Sequence, residues 1–308
     1  MINRNLIRIR IVQIVYAWYQ NSNNNLKNAE KELLQGFQKS YDLYFYLLLL
    51  MVKITDLYEE RVEMKKNKFL PTEEDLNPNT YLIENKFIKQ LRTNKTLNKY
   101  LSERPMSWDE NETFVKNLLD TILGSEEYKN YTGNVSPTYA DDKDFWRKIF
   151  KQYIYLNDEL DDILEDESIF WNDDVETVET FVLKTIKQFS EQNGDNQPLL
   201  PMFKDEEDKQ FALKLLDETI LNEKKYRELI EKHTQKWDFD RIAFMDMIIM
   251  QVAVAELYTC ESIPTSVTLN EFIDIAKSYS TPKSGTFVNG ILDAIANEAK
   301  KEHIILKN

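Results

Sequence analysis

Three arginines, Arg4, Arg8 and Arg10, stand among the first ten residues, and no acid appears before Glu30. Gln13, Tyr16, Trp18 and Tyr19 follow directly. Guanidinium groups interleaved with aromatic rings suit single-stranded RNA: the cation takes a phosphate and the ring stacks on an unpaired base. Three phosphate contacts would give a logarithmic salt slope of only about −2. Each stacked base would add about 1–3 kcal/mol. Such affinity is modest and tolerant of sequence, so tight binding would call for a second protein. The same residues have a plainer use, with the rings in a core and the arginine stems snorkelling past it. Residue chemistry alone leaves both readings open.

Little else in the chain suggests chemistry. Its two histidines, His233 and His303, are far apart and do not have zinc-ligand spacing. The lone Cys260 lies beside Glu261, and an acidic neighbour disfavours the thiolate a nucleophile needs. Gly285 and Gly290 follow no strand pattern, which a phosphate-cradling loop requires. From Asp158 to Glu179 every charged residue is acidic. A hard cation wants about six converging oxygens, and this run reads instead as a solvated helix face and loop. No catalytic residue, metal or cofactor is expected.

The elements that must position these residues are helical. Of 308 residues only six are Gly and eight Pro, too few for a turn-rich β architecture. Net charge is −14, so nucleic acid would be repelled except at a local basic patch. A single cysteine excludes an internal disulfide framework and fits a reducing compartment. The N-terminus is too polar for a secretory signal. The apolar run Leu43–Val52 is half a membrane span and reads as a buried helix. A soluble, cytoplasmic chain without membrane contact is the expectation.

Residues 3–20 form a helix by pattern, with Ile7, Ile11, Ile14, Val15 and Trp18 on one face and Ile9, Val12, Tyr16 and Tyr19 on another. One or two long helices follow over 26–66, then weaker helical pattern over 80–104. Ser107-Trp108-Asp109-Glu110 has the form of a capping box opening a helix that runs to Gly124. Segments 141–164 and 174–190 are helical. Gly194, Pro198 and Pro201 mark 189–203 as a linker. The expected division is therefore 1–203, a helical region whose residues 21–203 are an insertion, and 204–303. Within the latter, helices are expected from Asp205, over about 223–235 and from Asp240 to Tyr258. The last is apolar nearly throughout and so central. Thr268-Leu269-Asn270-Glu271 suggests a second capping box, and Thr281-Pro282 an N-cap with a proline at the first helical position. Phe287, Ile291, Ile295 and Ala299 form an i+4 ladder.

Five landmarks occur in a telling order: Ile11-Val12-Gln13-Ile14-Val15-Tyr16-Ala17-Trp18, Glu256-Leu257, Ile263-Pro264, Asn270-Glu271, and Phe287-Val288-Asn289-Gly290-Ile291-Leu292-Asp293. In this respect the chain resembles the NusB antitermination family over about 1–20 and 205–298. The resemblance implies an all-α fold: a helical bundle of the NusB type in the C-terminal region, with an additional helical N-terminal or insert region. It also implies a non-enzymatic adaptor that binds boxA-like single-stranded RNA with NusE, a small-subunit ribosomal protein, and through them other Nus factors and RNA polymerase. Carried over residue by residue, it implies RNA contacts from Arg4, Arg8, Gln13 and Tyr16, with Arg10 beside them. Lys283, Ser284, Phe287 and Asn289 would face RNA from the start of the last helix. Asp246, Glu256, Asn270 and Glu271 are the candidates for partner binding. Met247, Gln251 and Lys283 depart from the family pattern, which commonly has arginine at the first two places. Two alternatives stand beside this one: a helical protein–protein scaffold that has lost RNA binding, which the net charge favours, and a fusion to an RNA cytosine methyltransferase. Residues 21–204 contain no cysteine, which a methyltransferase of that kind needs.

Overall fold

The side chain of Asn3 accepts the amide of Leu6 at 2.8 Å and starts the first helix, α1 (Arg4–Gln20). The structure is a computed structural model and describes residues 1–21, 25–234 and 242–303. Within these the chain is all-α, its only β feature an isolated bridge between Ile2 and Phe203. The sequence expectations for 22–24, for Gln235 and for Asp240 and Arg241 lie outside the described residues. Two compact units are present. One, the insert unit, comprises Gln38–Met202 with Met1; the other, the terminal unit, comprises Ile2–Phe37 and Phe203–Asn308. Helix α2 (Leu26–Lys66) is one continuous helix and contributes residues to both units.

In the insert unit, Leu43 to Leu48 are buried on every side of α2, as the apolar run required. No helix among the described residues is long and apolar enough to cross a membrane. Next come α3 (Glu73–Leu76), α4 (Tyr81–Glu84), α5 (Lys86–Arg92) and α6 (Lys95–Glu103). The capping box at Ser107 does not form. The hydroxyl accepts the amide of Asp109, a short 3-10 turn intervenes, and α7 (Glu112–Gly124) starts later. Trp108 explains the shift: it is buried, stacked on Tyr46 at 4.0 Å, and donates its ring N–H to the Tyr46 carbonyl.

After α8 (Glu126–Thr132) and α9 (Tyr139–Ile149), the expected helix over 141–164 is broken. Phe150–Ile154 form a π-helical turn, Leu156 adopts a left-handed φ of 54°, and Asn157 caps α10 (Asp158–Glu167). Helix α11 (Val175–Gln188) then closes the acidic stretch. Its Glu179 is fully buried and accepts the amide of Leu156 at 3.3 Å, and burial pushes its carboxyl up to about 8. The expected linker is a pinned strap. Gln90 donates to the carbonyls of Ser190 and Gly194, and Asn94 to that of Gln197.

The terminal unit adds α12 (Glu206–Leu221), α13 (Glu223–His233), α14 (Phe244–Thr259), α15 (Thr265–Tyr279) and α16 (Ser284–Lys301). Helix α14 is buried continuously from Asp246 to Leu257 and packs against α1, α12, α13, α15 and α16. That is the place a helix apolar on all sides must take. Ile7, Ile11 and Val15 of α1 and Ile295 and Ala299 of α16 complete this core.

Candidate nucleic-acid interface

Helix α14 sorts the predicted residues into two groups, one near each of its ends. At the C-terminal end lies Arg8, whose side chain is only 3% exposed. Its Nε donates to Glu256 Oε2 at 2.7 Å and its Nη2 to Glu256 Oε1 at 2.9 Å, a bidentate fork. Glu271 Oε2 lies 3.4 Å from Nη1, and Thr268 donates its hydroxyl to Glu256 Oε1 at 2.8 Å. The rings of Phe211 and Phe272 flank the guanidinium at 5.8 and 6.0 Å. A charge placed inside an apolar bundle must be paired and hydrogen-bonded, and this pair meets that demand. Arg8 therefore does not face an RNA ligand; it holds α1 to α14. Glu256, expected to bind a partner, is spent in the same pair.

The second capping box fails for the same reason. Helix α15 begins at Thr265, after Pro264, so Thr268 points its hydroxyl inward to Glu256 rather than to the backbone. The expected N-cap at Thr281 is likewise replaced by a turn, in which the Ser284 amide reaches the Thr281 carbonyl at 2.9 Å.

Arg10 is buried as well. Its Nη1 donates to Gln13 Oε1 at 2.9 Å, and its stem lies against Gly36, where a Cβ would come within 2.9 Å of Cδ. Arg4 is the first-helix arginine nearest the surface, its side chain 38% exposed. Its Nε meets Asp208 Oδ1 at 3.1 Å, and its Cζ lies 5.2 Å from the Phe211 ring centre. Asp208, Phe211 and Phe272 were missed at the sequence level. A charged residue inside the apolar run of α14 was the available signal that an opposite charge had to meet it.

At the N-terminal end of α14, Asp246 is buried and accepts the hydroxyl of Ser284 at 2.9 Å. Ser284 also meets Thr281 Oγ1 at 2.8 Å and Ser280 Oγ at 3.1 Å. Neither Asp246 nor Ser284 is available to a ligand as a surface group, contrary to expectation; together they fix the start of α16. Around that start Lys283 and Asn289 are exposed and Phe287 is half-buried. Tyr16, 39% exposed, packs on Phe244, 42% exposed, with ring centres 5.6 Å apart. Tyr19 also touches Phe244, at 5.7 Å, and donates its hydroxyl to Gln251 Oε1 at 2.6 Å. Burial and nearby Glu223 push the Tyr19 hydroxyl up to about 12, so it stays protonated and keeps donating. Gln251 in turn donates to the Thr219 carbonyl at 3.1 Å. One departure from the family pattern, Gln251, is thus a buried strut between helices.

The two groups are separated by the helix that positions them. Asp246 and Glu256 are ten residues apart, roughly 15 Å along the axis. The expected single basic spot is a strip, with Arg4 towards one end and Lys283, Tyr16 and Phe287 towards the other. Of the partner candidates, Asn270 is exposed and Glu271 half-buried on α15. Among the described residues no group of three acidic, histidine or cysteine side chains gathers as a metal site.

Comparison with known proteins decides the family. The model of the NusB family matches residues 176–297. The transcription antitermination protein NusB of Salinibacter ruber is 40% identical over 120 residues, 37% of this chain and 75% of that protein. This chain belongs to the NusB family. The NusB of Chloroherpeton thalassium is 41% identical over 100 residues, 32% of this chain and 47% of that protein. A solved structure of T. maritima NusB is 29% identical, covers 45% of this chain and 82% of its own, and superposes with a TM-score of 0.30. The family match runs from α11 into α16, ending at residue 297, and takes in the starts of α14 and α16 described above.

Proposed function

We propose that this NusB-family chain acts in transcription antitermination as a non-enzymatic adaptor, holding boxA-type single-stranded RNA together with NusE. Two observations support the reading: Tyr16 packs on Phe244 where α14 begins, and Lys283, Phe287 and Asn289 lie at the start of α16, which Ser284 ties to Asp246 of α14. Tyr16, Phe244, Lys283 and Asn289 are exposed and Phe287 is half-buried, although most of the bundle's apolar surface is buried. The start of a helix offers free amides and a partial positive charge to phosphate, and Lys283 stands just before the start of α16.

Arg8 and Arg10 are taken up inside the bundle, so few cations remain for phosphate. Two contacts, from Arg4 and Lys283, give a logarithmic salt slope near −1.4 on a single strand. RNA affinity of this protein alone is therefore weak, and NusE supplies the remainder. The face for NusE is the outer side of α15, where Val267 and Asn270 are exposed, rather than buried Asp246 or Glu256. Titration of labelled boxA-like RNA at two salt concentrations, with and without NusE, tests the reading. Tighter binding with NusE is expected; equal affinity in its presence and absence overturns it. A helical scaffold without RNA binding draws support from the internal use of Arg8 and Arg10, and the same titration separates the two.

A further inference from the structure

We propose that Phe244 and Tyr16 form a stacking ledge for one unpaired base, with Phe244 as the residue that receives the ring. The inference rests on the RNA-binding reading and adds to it a contact that no sequence landmark marks.

The geometry makes a ledge rather than a core contact. Phe244 opens α14, and immediately beyond it Asp246 to Leu257 are buried. Yet Phe244 keeps 42% of its surface exposed and Tyr16 keeps 39%. The two rings are tilted by 60° at 5.6 Å, and Tyr19 presses on Phe244 nearly edge-on, at 73° and 5.7 Å. Tyr19 is itself held by Gln251, and Gln251 by the Thr219 carbonyl. Phe244 is therefore braced by a hydrogen-bonded chain that runs back into α12. A braced, half-exposed aromatic ring offers a π-face already ordered, so a base that stacks on it does not have to order the ring first.

The RNA-binding reading sets the occupant as a base rather than an apolar protein side chain. The first turn of α14 is joined to the start of α16 through Asp246 and Ser284. Lys283, exposed, stands one residue before Ser284. Among the described residues no side chain caps the first amides of α14. An exposed, braced aromatic face fits the ring of one unpaired base.

The test uses the full chain and a boxA-like single-stranded RNA carrying 2-aminopurine at successive positions, since that base loses fluorescence when it stacks. Wild-type protein should quench one position more than its neighbours. Phe244→Leu keeps apolar bulk and removes the π-face; it should weaken binding about tenfold and abolish the selective quench. Phe244→Trp should restore both. Melting curves of the variants show whether the bundle is intact. If wild-type protein binds no RNA, the RNA reading itself falls. If wild-type protein binds while Phe244→Leu matches it within twofold and quenches equally, the ledge alone falls. If Phe244→Leu weakens only the NusE-dependent part of binding, a protein occupies the ledge and the inference is overturned.

Discussion

Arg8 separates a structural from a ligand-binding account of the first helix. Replacing it with Met removes two short hydrogen bonds to Glu256, a carboxylate in a fully buried side chain that also accepts the Thr268 hydroxyl. Breaking a buried pair by removing one partner costs about 3–5 kcal/mol, because the remaining charge is uncompensated. In a unit near 150 residues each kcal/mol moves the melting midpoint by about 2–4 °C, so Arg8→Met should lower it by about 6–20 °C. Combining Arg8→Met with Glu256→Gln removes the stranded charge and keeps an acceptor for Thr268, so at least half of the loss should return. Thermal and denaturant unfolding followed by circular dichroism give the cycle, and RNA titration at a temperature where each variant is folded gives the affinity. The structure requires lost stability with affinity per folded molecule unchanged. Stability within about 0.5 kcal/mol of the parent, the usual range for surface changes, joined to a tenfold loss of affinity would refute the internal role of Arg8.

Three further expectations follow. Lys283→Ala should reduce the logarithmic salt slope of RNA binding by about 0.7; and because Arg4 lies towards the other end of the strip, Arg4→Ala with Lys283→Ala should give additive losses, a cooperative loss pointing to one compact spot instead. Gly36→Ala sets a helix-propensity gain of about 1 kcal/mol against a contact of 2.9 Å with the buried Arg10 stem; the contact should win, and the variant should melt lower than the parent. Glu179 is raised from an ordinary 4.5 to about 8 by burial, so the folded state keeps a proton that the unfolded state releases. Its contribution to stability is complete below about 4.5 and declines as pH rises to about 8; Glu179→Gln should flatten that decline in denaturant midpoints measured from pH 5 to 9.

Hydrophobic period alone located the parts of this fold that depend on local repetition. The faces of α1, the buried length of α14 and the i+4 ladder of α16 are each set by burial of one stripe or of all sides, and such patterns are written along the chain. What the sequence hid are the pairings across it. Arg8 and Glu256 are separated by 248 positions, and a patch of arginines reads identically whether it faces solvent or a buried acid. Their demand on each other then overrode a local rule: Thr268 has the sequence of a cap, but its hydroxyl goes to Glu256. Trp108 did the same at Ser107, where burying an indole outweighed a capping box. The turn at Leu156 has no glycine or proline to announce it.

The same competition explains why the candidate interface was only half legible. Arg8, Ser284, Asp246 and Glu256, expected from the resemblance to meet ligands, are internal fasteners. Their role is to place α1, α14 and α16 so that less demanding positions come to the surface at the right ends. Phe244 belongs to that second class: no motif contains it, and its exposure follows from where α14 begins. A surface assembled by fasteners changes its ligand contacts cheaply, since Lys283 or Phe244 can vary without disturbing the core, while a change at Arg8 costs the fold first. Loss of RNA affinity without loss of stability should therefore map to the starts of α14 and α16 and not to the arginine pair at the other end of the central helix.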